Sequence, residues 1–118
     1  MAKVMIVDDS LFMRNQITKM LSKQGHDTVV AENGIEAINT YRKDNPDVVV
    51  MDITMPQMDG LEALLEIREY DPNARVIMLT ALDQKMAAAR AIHLGARDFL
   101  VKPVPPTQLV SALHKALG

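Results

Sequence analysis

The sequence contains no cysteine and no tryptophan, and it has only two tyrosines and two phenylalanines in 118 residues. Without cysteine the chain has neither a disulfide framework nor a thiolate metal site, and nothing calls for an oxidising compartment. We therefore expect a cytoplasmic location. The shortage of aromatic rings also argues against a pocket that stacks on the ring of a flavin.

A strong charge of either sign is missing as well, because 13 basic residues nearly balance 15 acidic ones to give a formal net charge of −2. This charge argues against a basic face that would neutralise phosphates, so we expect no direct binding to nucleic acid. The short apolar run near the N-terminus turns acidic at Asp8, which fits neither a signal peptide nor a membrane span. With 48% hydrophobic residues, we assign residues 1–118 to one globular domain with no membrane contact.

Short apolar runs of strand length recur along the chain without alternating polar residues, a pattern typical of strands covered on both faces of a parallel sheet. They are residues 4–7, 28–31, 48–51, 76–79 and 99–101. Helical patterns lie between them. Strict alternation with right-handed crossovers predicts an α/β fold, a (βα)5 doubly wound parallel five-stranded sheet with the flavodoxin-like strand order 2-1-3-4-5.

Helix boundaries are predicted from capping residues and from turn-forming dipeptides. Asn33 with Glu36, and Asp59 with Glu62, form capping-box patterns ahead of the second and third helices. The other boundaries are Gly25 after the first helix, Asn45-Pro46 after the second, Asp71-Pro72 after the third, Asp83 to just before Gly95 for the fourth, and Pro106 for the start of the fifth.

Reactive side chains follow four of the predicted strands: Asp8 and Asp9 the first, Asp52 the third, Thr80 the fourth and Lys102 the fifth. Ligands bind at the carboxyl ends of strands in open α/β sheets, so these side chains should share one edge. Carboxylates gathered there repel one another unless a cation lies between them. Oxygen ligands without thiolates favour Mg²⁺, with Mn²⁺ as an acceptable substitute.

A carboxylate in such a pocket can attack phosphorus and hold an acyl phosphate when cations and donors meet the charge on the phosphoryl oxygens. Mg²⁺, Thr80 and Lys102 supply these groups. Each signal has a plainer interpretation, since Asp-Asp after a strand is often a helix cap and Lys-Pro is often only a loop. Their combination at the ends of four strands favours phosphoryl chemistry.

Motifs spread along essentially the whole chain resemble those of response regulator receiver domains. They are Val-Asp-Asp-Ser at 7–10, Met-Asp-Ile-Thr-Met-Pro-Gln-Met-Asp-Gly at 51–60, Leu-Thr-Ala at 79–81 and Val-Lys-Pro at 101–103. The chain is most similar to stand-alone, CheY-like receivers of chemotaxis. This resemblance implies two-component signalling, with a histidine kinase or phosphotransfer domain as the phosphohistidine donor. It also implies a monomer whose protein target reads the face of the fourth helix, fifth strand and fifth helix.

The resemblance also implies a role for each acidic residue. Asp52 would be the phosphoacceptor. Asp9 and Asp52 would ligate Mg²⁺ directly, together with the backbone carbonyl of Thr54, and Asp8 would act through a water molecule.

The remaining site residues would bind the phosphoryl group and transmit its presence. Thr80 and Lys102 would contact the phosphoryl oxygens, and Phe99 would swing inward as part of the switch. From the residues alone, a lone aromatic in an apolar strand is more often a core residue. The Lys102-Pro103 peptide bond would be cis. Leu82 and the side chain of Thr54 would flank the line of attacking water.

Three other interpretations remain. The chain could be the receiver domain of a longer response regulator with a separate output domain. A Mg²⁺-dependent aspartyl-phosphate phosphatase is a remote alternative, because Thr54 stands where the second carboxylate would act as acid and base. A flavodoxin-like carrier is disfavoured because carboxylates in the first loop would repel the flavin phosphate. We therefore expect a phosphoacceptor rather than an enzyme.

Overall fold

The computed structural model, which describes residues 2–81 and 84–118, contains five parallel strands in the order β2-β1-β3-β4-β5. The predicted doubly wound α/β fold and its strand order are therefore confirmed. The strands are β1 Lys3–Val7, β2 Asp27–Ala31, β3 Val48–Asp52, β4 Val76–Thr80 and β5 Asp98–Val101. The helices are α1 Leu11–Lys23, α2 Gly34–Asp44, α3 Gly60–Tyr70, α4 Lys85–His93 and α5 Pro106–Leu117.

Strand register aligns the carboxyl ends of the central strands. Val7 of β1 pairs with Met51 of β3, and Asp52 pairs with Leu79 of β4. The residues that directly follow β1 therefore lie beside Asp52. The strand order reverses between β1 and β3, which is where open α/β sheets form their ligand crevice.

The core consists of one apolar layer on each face of the sheet. Met5 and Val7 point into the layer covered by α2, α3 and α4, whereas Val4 and Ile6 point into the layer covered by α1 and α5. All four side chains are fully buried. Burial on both faces explains why the central strands β1, β3 and β4 carry apolar runs instead of alternating residues.

Side-chain caps start α2 and α3 at the predicted positions. Asn33 Oδ1 accepts a hydrogen bond from the Glu36 amide at 2.9 Å, and Asp59 Oδ1 accepts one from the Glu62 amide at 3.0 Å. Asn45, in the left-handed conformation at φ 44°, ends α2. The Asn33 and Asp59 caps therefore fix the residues at which α2 and α3 begin.

Helix α4 is anchored by small side chains. Ala88 and Ala91 are buried, whereas Met86 is 88% exposed and Ile92 is 43% exposed. The predicted start at Asp83 lies outside the described residues. Within residues 2–81 and 84–118, no helix is both long and apolar enough to cross a bilayer.

Candidate functional site

The carboxyl edge of the sheet brings Asp8, Asp9 and Asp52 together. One carboxylate oxygen of each lies within 4.8 Å of those of the other two. Asp8 and Asp52 are buried, and Asp9 is exposed. The strand ends therefore meet as the sequence predicted, and the three carboxylates are close enough together to hold a metal ion.

Lys102, which directly follows β5, inserts its ammonium group into this cluster. Its Nζ lies 3.0 Å from Asp52 Oδ2 and 3.2 Å from Asp8 Oδ2. The peptide bond between Lys102 and Pro103 is cis, as the resemblance implied. Three carboxylates and one ammonium leave a formal excess of two negative charges. A divalent cation would balance that excess, and an all-oxygen donor set is the kind that Mg²⁺ prefers.

Burial and charge act in opposite directions on the two partners of this ion pair. Burial raises the pKa of Asp52, although the hydrogen bond and charge of Lys102 act to lower it. Burial disfavours the charged form of Lys102, but the carboxylates of Asp52 and Asp8 more than offset this and raise the pKa of the amine. Lys102 is therefore charged at neutral pH. The positive charge of Lys102 does not fully offset the cost of burying the Asp52 carboxylate, and a bound cation would add further positive charge beside it.

The loop after β1 is fixed by contacts that the sequence analysis did not identify. The Ser10 amide donates to Asp8 Oδ1 at 2.9 Å, and Arg14 Nη1 donates to the Asp8 backbone oxygen at 2.7 Å. Arg14 Nη2 also lies 3.9 Å from a carboxylate oxygen of Glu32 after β2. Since Arg14 lies a full turn into α1, no local motif marks it as a partner of the acidic loop.

Gly60 at the start of α3 allows the helix to approach the backbone of Asp52. Its amide donates to the Ile53 oxygen at 2.7 Å. A Cβ added at Gly60 would lie only 2.1 Å from the Asp52 backbone oxygen. Glycine is required here by this close approach, and α3 thereby supports the segment that carries the candidate acceptor.

Thr80 is fully buried, and its hydroxyl is engaged with the loop that leads to α4. The Thr80 hydroxyl has one hydrogen to donate and two backbone oxygens within reach, that of Ala81 at 3.1 Å and that of Gln84 at 3.3 Å. The hydroxyl would have to give up these acceptors to contact a group on Asp52. Its predicted contact with a phosphoryl oxygen stays a prediction.

Phe99 on β5 is 37% exposed, so it is not the plain core residue that its sequence context favoured. Its outward position is the starting point that an inward swing requires. Thr54 is also exposed, and the proposed use of its backbone carbonyl as a ligand stays a prediction. Leu82, predicted to flank the path of attacking water, lies outside the described residues.

Gln84 is a further residue near the site that sequence reasoning missed. Its Oε1 accepts from the Ala81 amide at 3.1 Å, and its Nε2 donates to the Thr54 hydroxyl. These bonds connect the loop after β3 with the loop after β4. Thr54 and Gln84 are 30 positions apart in the chain, so no spacing rule predicts the contact.

Comparisons with known proteins agree with this geometry. Residues 4–114 match the family model of the response regulator receiver domain. The chemotaxis protein CheY of Bacillus subtilis is 46% identical over 117 residues, which cover 98% of each chain. A receiver domain protein from Clostridium thermocellum superposes with a TM-score of 0.96 at 29% identity, over 99% of this chain and 94% of that one. A chain of the CheX-CheY-BeF3-Mg²⁺ complex from Borrelia burgdorferi gives a TM-score of 0.92 at 37% identity, over 98% and 89%.

Proposed function

Because the chain belongs to the response regulator receiver domain family, we propose that it is a phosphorylation-activated switch in which Asp52 accepts the phosphoryl group. The observation that carries this proposal is the pairing of Lys102 with both Asp52 and Asp8 in a pocket of excess negative charge. That pocket offers a carboxylate nucleophile, a fixed ammonium donor and carboxylate ligands for a cation within one small volume.

The acidic cluster would hold Mg²⁺, or Mn²⁺ in its place. Direct ligands would come from Asp9, Asp52 and the backbone carbonyl of Thr54. Asp8 would bind the ion through a water molecule. When bound, the cation supplies positive charge to the phosphoryl oxygens and to the acidic cluster. The fit rests on the three carboxylate oxygens and on the formal excess of two negative charges.

The chain's own residues would carry out the transfer as follows. A carboxylate oxygen of Asp52 attacks phosphorus, and the bond from phosphorus to the donor's nitrogen breaks, which leaves an acyl phosphate on the chain. Lys102, 3.0 Å from Asp52, then pairs with a phosphoryl oxygen instead of the free carboxylate. The Thr80 hydroxyl turns from the loop toward the same group, and Phe99 moves inward from its half-exposed position.

Partners follow as chemical classes. The donor is the phosphohistidine of a histidine kinase or phosphotransfer domain. The target is a protein that reads the α4-β5-α5 face, where Met86, Ile92 and Phe99 are exposed. The solved complex of a CheY with CheX from Borrelia supports a protein as the binding partner. We place the chain as a monomeric, stand-alone receiver of the chemotaxis type, acting in the cytoplasm without direct contact with nucleic acid or membrane.

We propose a phosphoacceptor that assists its own phosphorylation and dephosphorylation, rather than an enzyme with a separate substrate. A phosphatase of the aspartyl-phosphate type needs a second carboxylate as acid and base near the nucleophile. Thr54 occupies that sequence position, and its hydroxyl accepts a hydrogen bond from Gln84. A threonine hydroxyl at this position lacks the acidity of a carboxylic acid.

Intact-protein mass spectrometry after incubation with acetyl phosphate tests the proposal. The native chain should gain one phosphoryl adduct only when Mg²⁺ is present, and Asp52→Asn should gain none. Asp59→Asn is the matched control, because it removes a nearby carboxylate while asparagine can still cap α3. Labelling of Asp52→Asn, or labelling without a divalent cation, would contradict the proposal. Multiple turnover of an aryl phosphate would instead support the phosphatase.

A further inference from the structure

We propose that Gln84 is a positioning residue that holds the mouth of the acidic pocket in its unphosphorylated arrangement and must release before Thr80 reaches a phosphoryl group. This inference rests on the proposed function of Asp52. It adds a residue outside the metal-binding and phosphoryl-binding set, located immediately before α4.

Three hydrogen bonds converge on Gln84. Its backbone oxygen accepts from the Thr80 hydroxyl at 3.3 Å, and its Oε1 accepts from the Ala81 amide at 3.1 Å. Its Nε2 donates to the Thr54 hydroxyl. One residue therefore engages the hydroxyl and the amide at the end of β4 and also connects them to the segment that follows Asp52.

The groups engaged by Gln84 are those that a phosphoryl group would need. Asp52 pairs with Leu79, so Thr80 at the end of β4 and Ala81 directly after it come next beside the candidate acceptor. A phosphoryl group carries negative charge on three oxygens, and neutral hydroxyl and amide donors nearby would stabilise it. In the present arrangement both donors are directed to acceptors in the loop, two of which belong to Gln84.

The bonds of Gln84 also connect the pocket to α4. Gln84 occupies the N-cap position of α4, although its side chain makes no capping hydrogen bond, so a change in its contacts acts on the residue that precedes the first turn. Release of Thr54 and Ala81 would free the start of α4 to move with the loop. The hydrogen bonds made by Gln84 thus oppose activation, and their loss should favour the phosphorylated arrangement.

The test measures binding of beryllofluoride, a phosphoryl mimic, at saturating Mg²⁺ by isothermal titration calorimetry. Removing the side-chain bonds in Gln84→Ala should tighten beryllofluoride binding about fivefold, since each neutral hydrogen bond contributes a modest net amount. Gln16→Ala is the matched control, because it makes the same substitution at an exposed position of α1. It should bind beryllofluoride as the native chain does.

A double-mutant cycle assigns the effect to the contact with Thr54. Thr54→Val removes the hydroxyl acceptor and should also tighten beryllofluoride binding, and the two substitutions together should give less than the product of their separate effects. A product of independent effects would overturn the role of the Thr54 contact. Unchanged or weaker beryllofluoride binding in Gln84→Ala would overturn the inference as a whole. A shorter acyl-phosphate lifetime without tighter binding would also overturn it, because Gln84 would then only exclude water.

Amide hydrogen exchange in the chain without Mg²⁺ gives a readout that does not depend on phosphorylation. Ala81 should exchange faster in Gln84→Ala than in the native chain, because its amide loses the Oε1 acceptor. Equal exchange rates would show that the side chain does not hold this amide and would overturn the inference. Absence of beryllofluoride binding in the native chain would instead contradict the proposed function itself.

Discussion

Substitution of Gly60 by alanine tests how closely α3 supports the candidate phosphoacceptor. The added Cβ would lie 2.1 Å from the Asp52 backbone oxygen and 2.9 Å from the Ile53 Cα. Ordinary contact begins near 3.4 Å, so the shorter distance falls about 1.3 Å short. Both atoms belong to the backbone and cannot turn away as a side chain would. Either α3 or the end of β3 must therefore move.

The magnitude follows from two opposing effects. Overpacking of this kind costs about 3 kcal/mol when backbone must shift. Alanine recovers up to about 1 kcal/mol through its better helix propensity and its smaller loss of chain entropy. We expect Gly60→Ala to lower the free energy of unfolding by about 2 kcal/mol, and the melting temperature by roughly 8 °C for a chain of this size.

Urea unfolding followed by far-ultraviolet circular dichroism measures this change, with no need for a tryptophan probe. Leu11→Ala is the matched control, since Leu11 also begins a helix but is 62% exposed; it should change the free energy of unfolding by less than about 0.5 kcal/mol. Gly60→Ala should also accept phosphoryl from acetyl phosphate more slowly, because Asp52 is displaced. A Gly60→Ala protein as stable as the native chain would refute the close approach described here.

Two further predictions concern buried polar groups. Tyr41→Phe should cost about 1 kcal/mol, because the phenol donates to Asp71 Oδ2 at 2.7 Å. Burial and Asp71 raise the pKa of Tyr41 above its ordinary 10.0, so the native chain should lose more stability than Tyr41→Phe as pH rises past about 10 in urea titrations. Lys102→Met should destabilise the Mg²⁺-free chain by about 2 kcal/mol, because Asp8 and Asp52 lose their ammonium partner. Saturating Mg²⁺ should restore part of this loss in thermal unfolding.

Controls separate these effects from general damage to the fold. Phe12→Leu changes an exposed ring that carries no phenol and should leave the pH dependence of stability unchanged. The raised pKa of Tyr41 lowers stability at high pH because the folded state retains a proton that the unfolded state has lost. Equal loss of stability at high pH in Tyr41→Phe and the native chain would contradict this reasoning. For Lys102→Met, an unchanged melting temperature without Mg²⁺ would contradict the view that the ammonium compensates the carboxylates.

Local sequence signals predicted those features of the fold that depend on residues close together in the chain. The pairs Asn33 with Glu36 and Asp59 with Glu62 predicted their helix starts, because a cap bonds an amide three residues ahead. Apolar runs predicted the strands, because the central strands β1, β3 and β4 are buried on both faces. The meeting of Asp8, Asp9 and Asp52 was also predictable, since parallel strands end at one edge.

The sequence by itself thus determined the α/β architecture, the strand order and the membership of the acidic cluster, because each follows from periodicity, capping chemistry and the direction of strands. The tertiary structure alone decided how the site is supported. Arg14 reaches the Asp8 backbone, Gln84 joins Thr54 to Ala81, and the Thr80 hydroxyl points to its own loop. These contacts depend on where loops from separate crossovers come to lie, and that position is fixed by the packing of helices on the sheet rather than by any spacing along the chain.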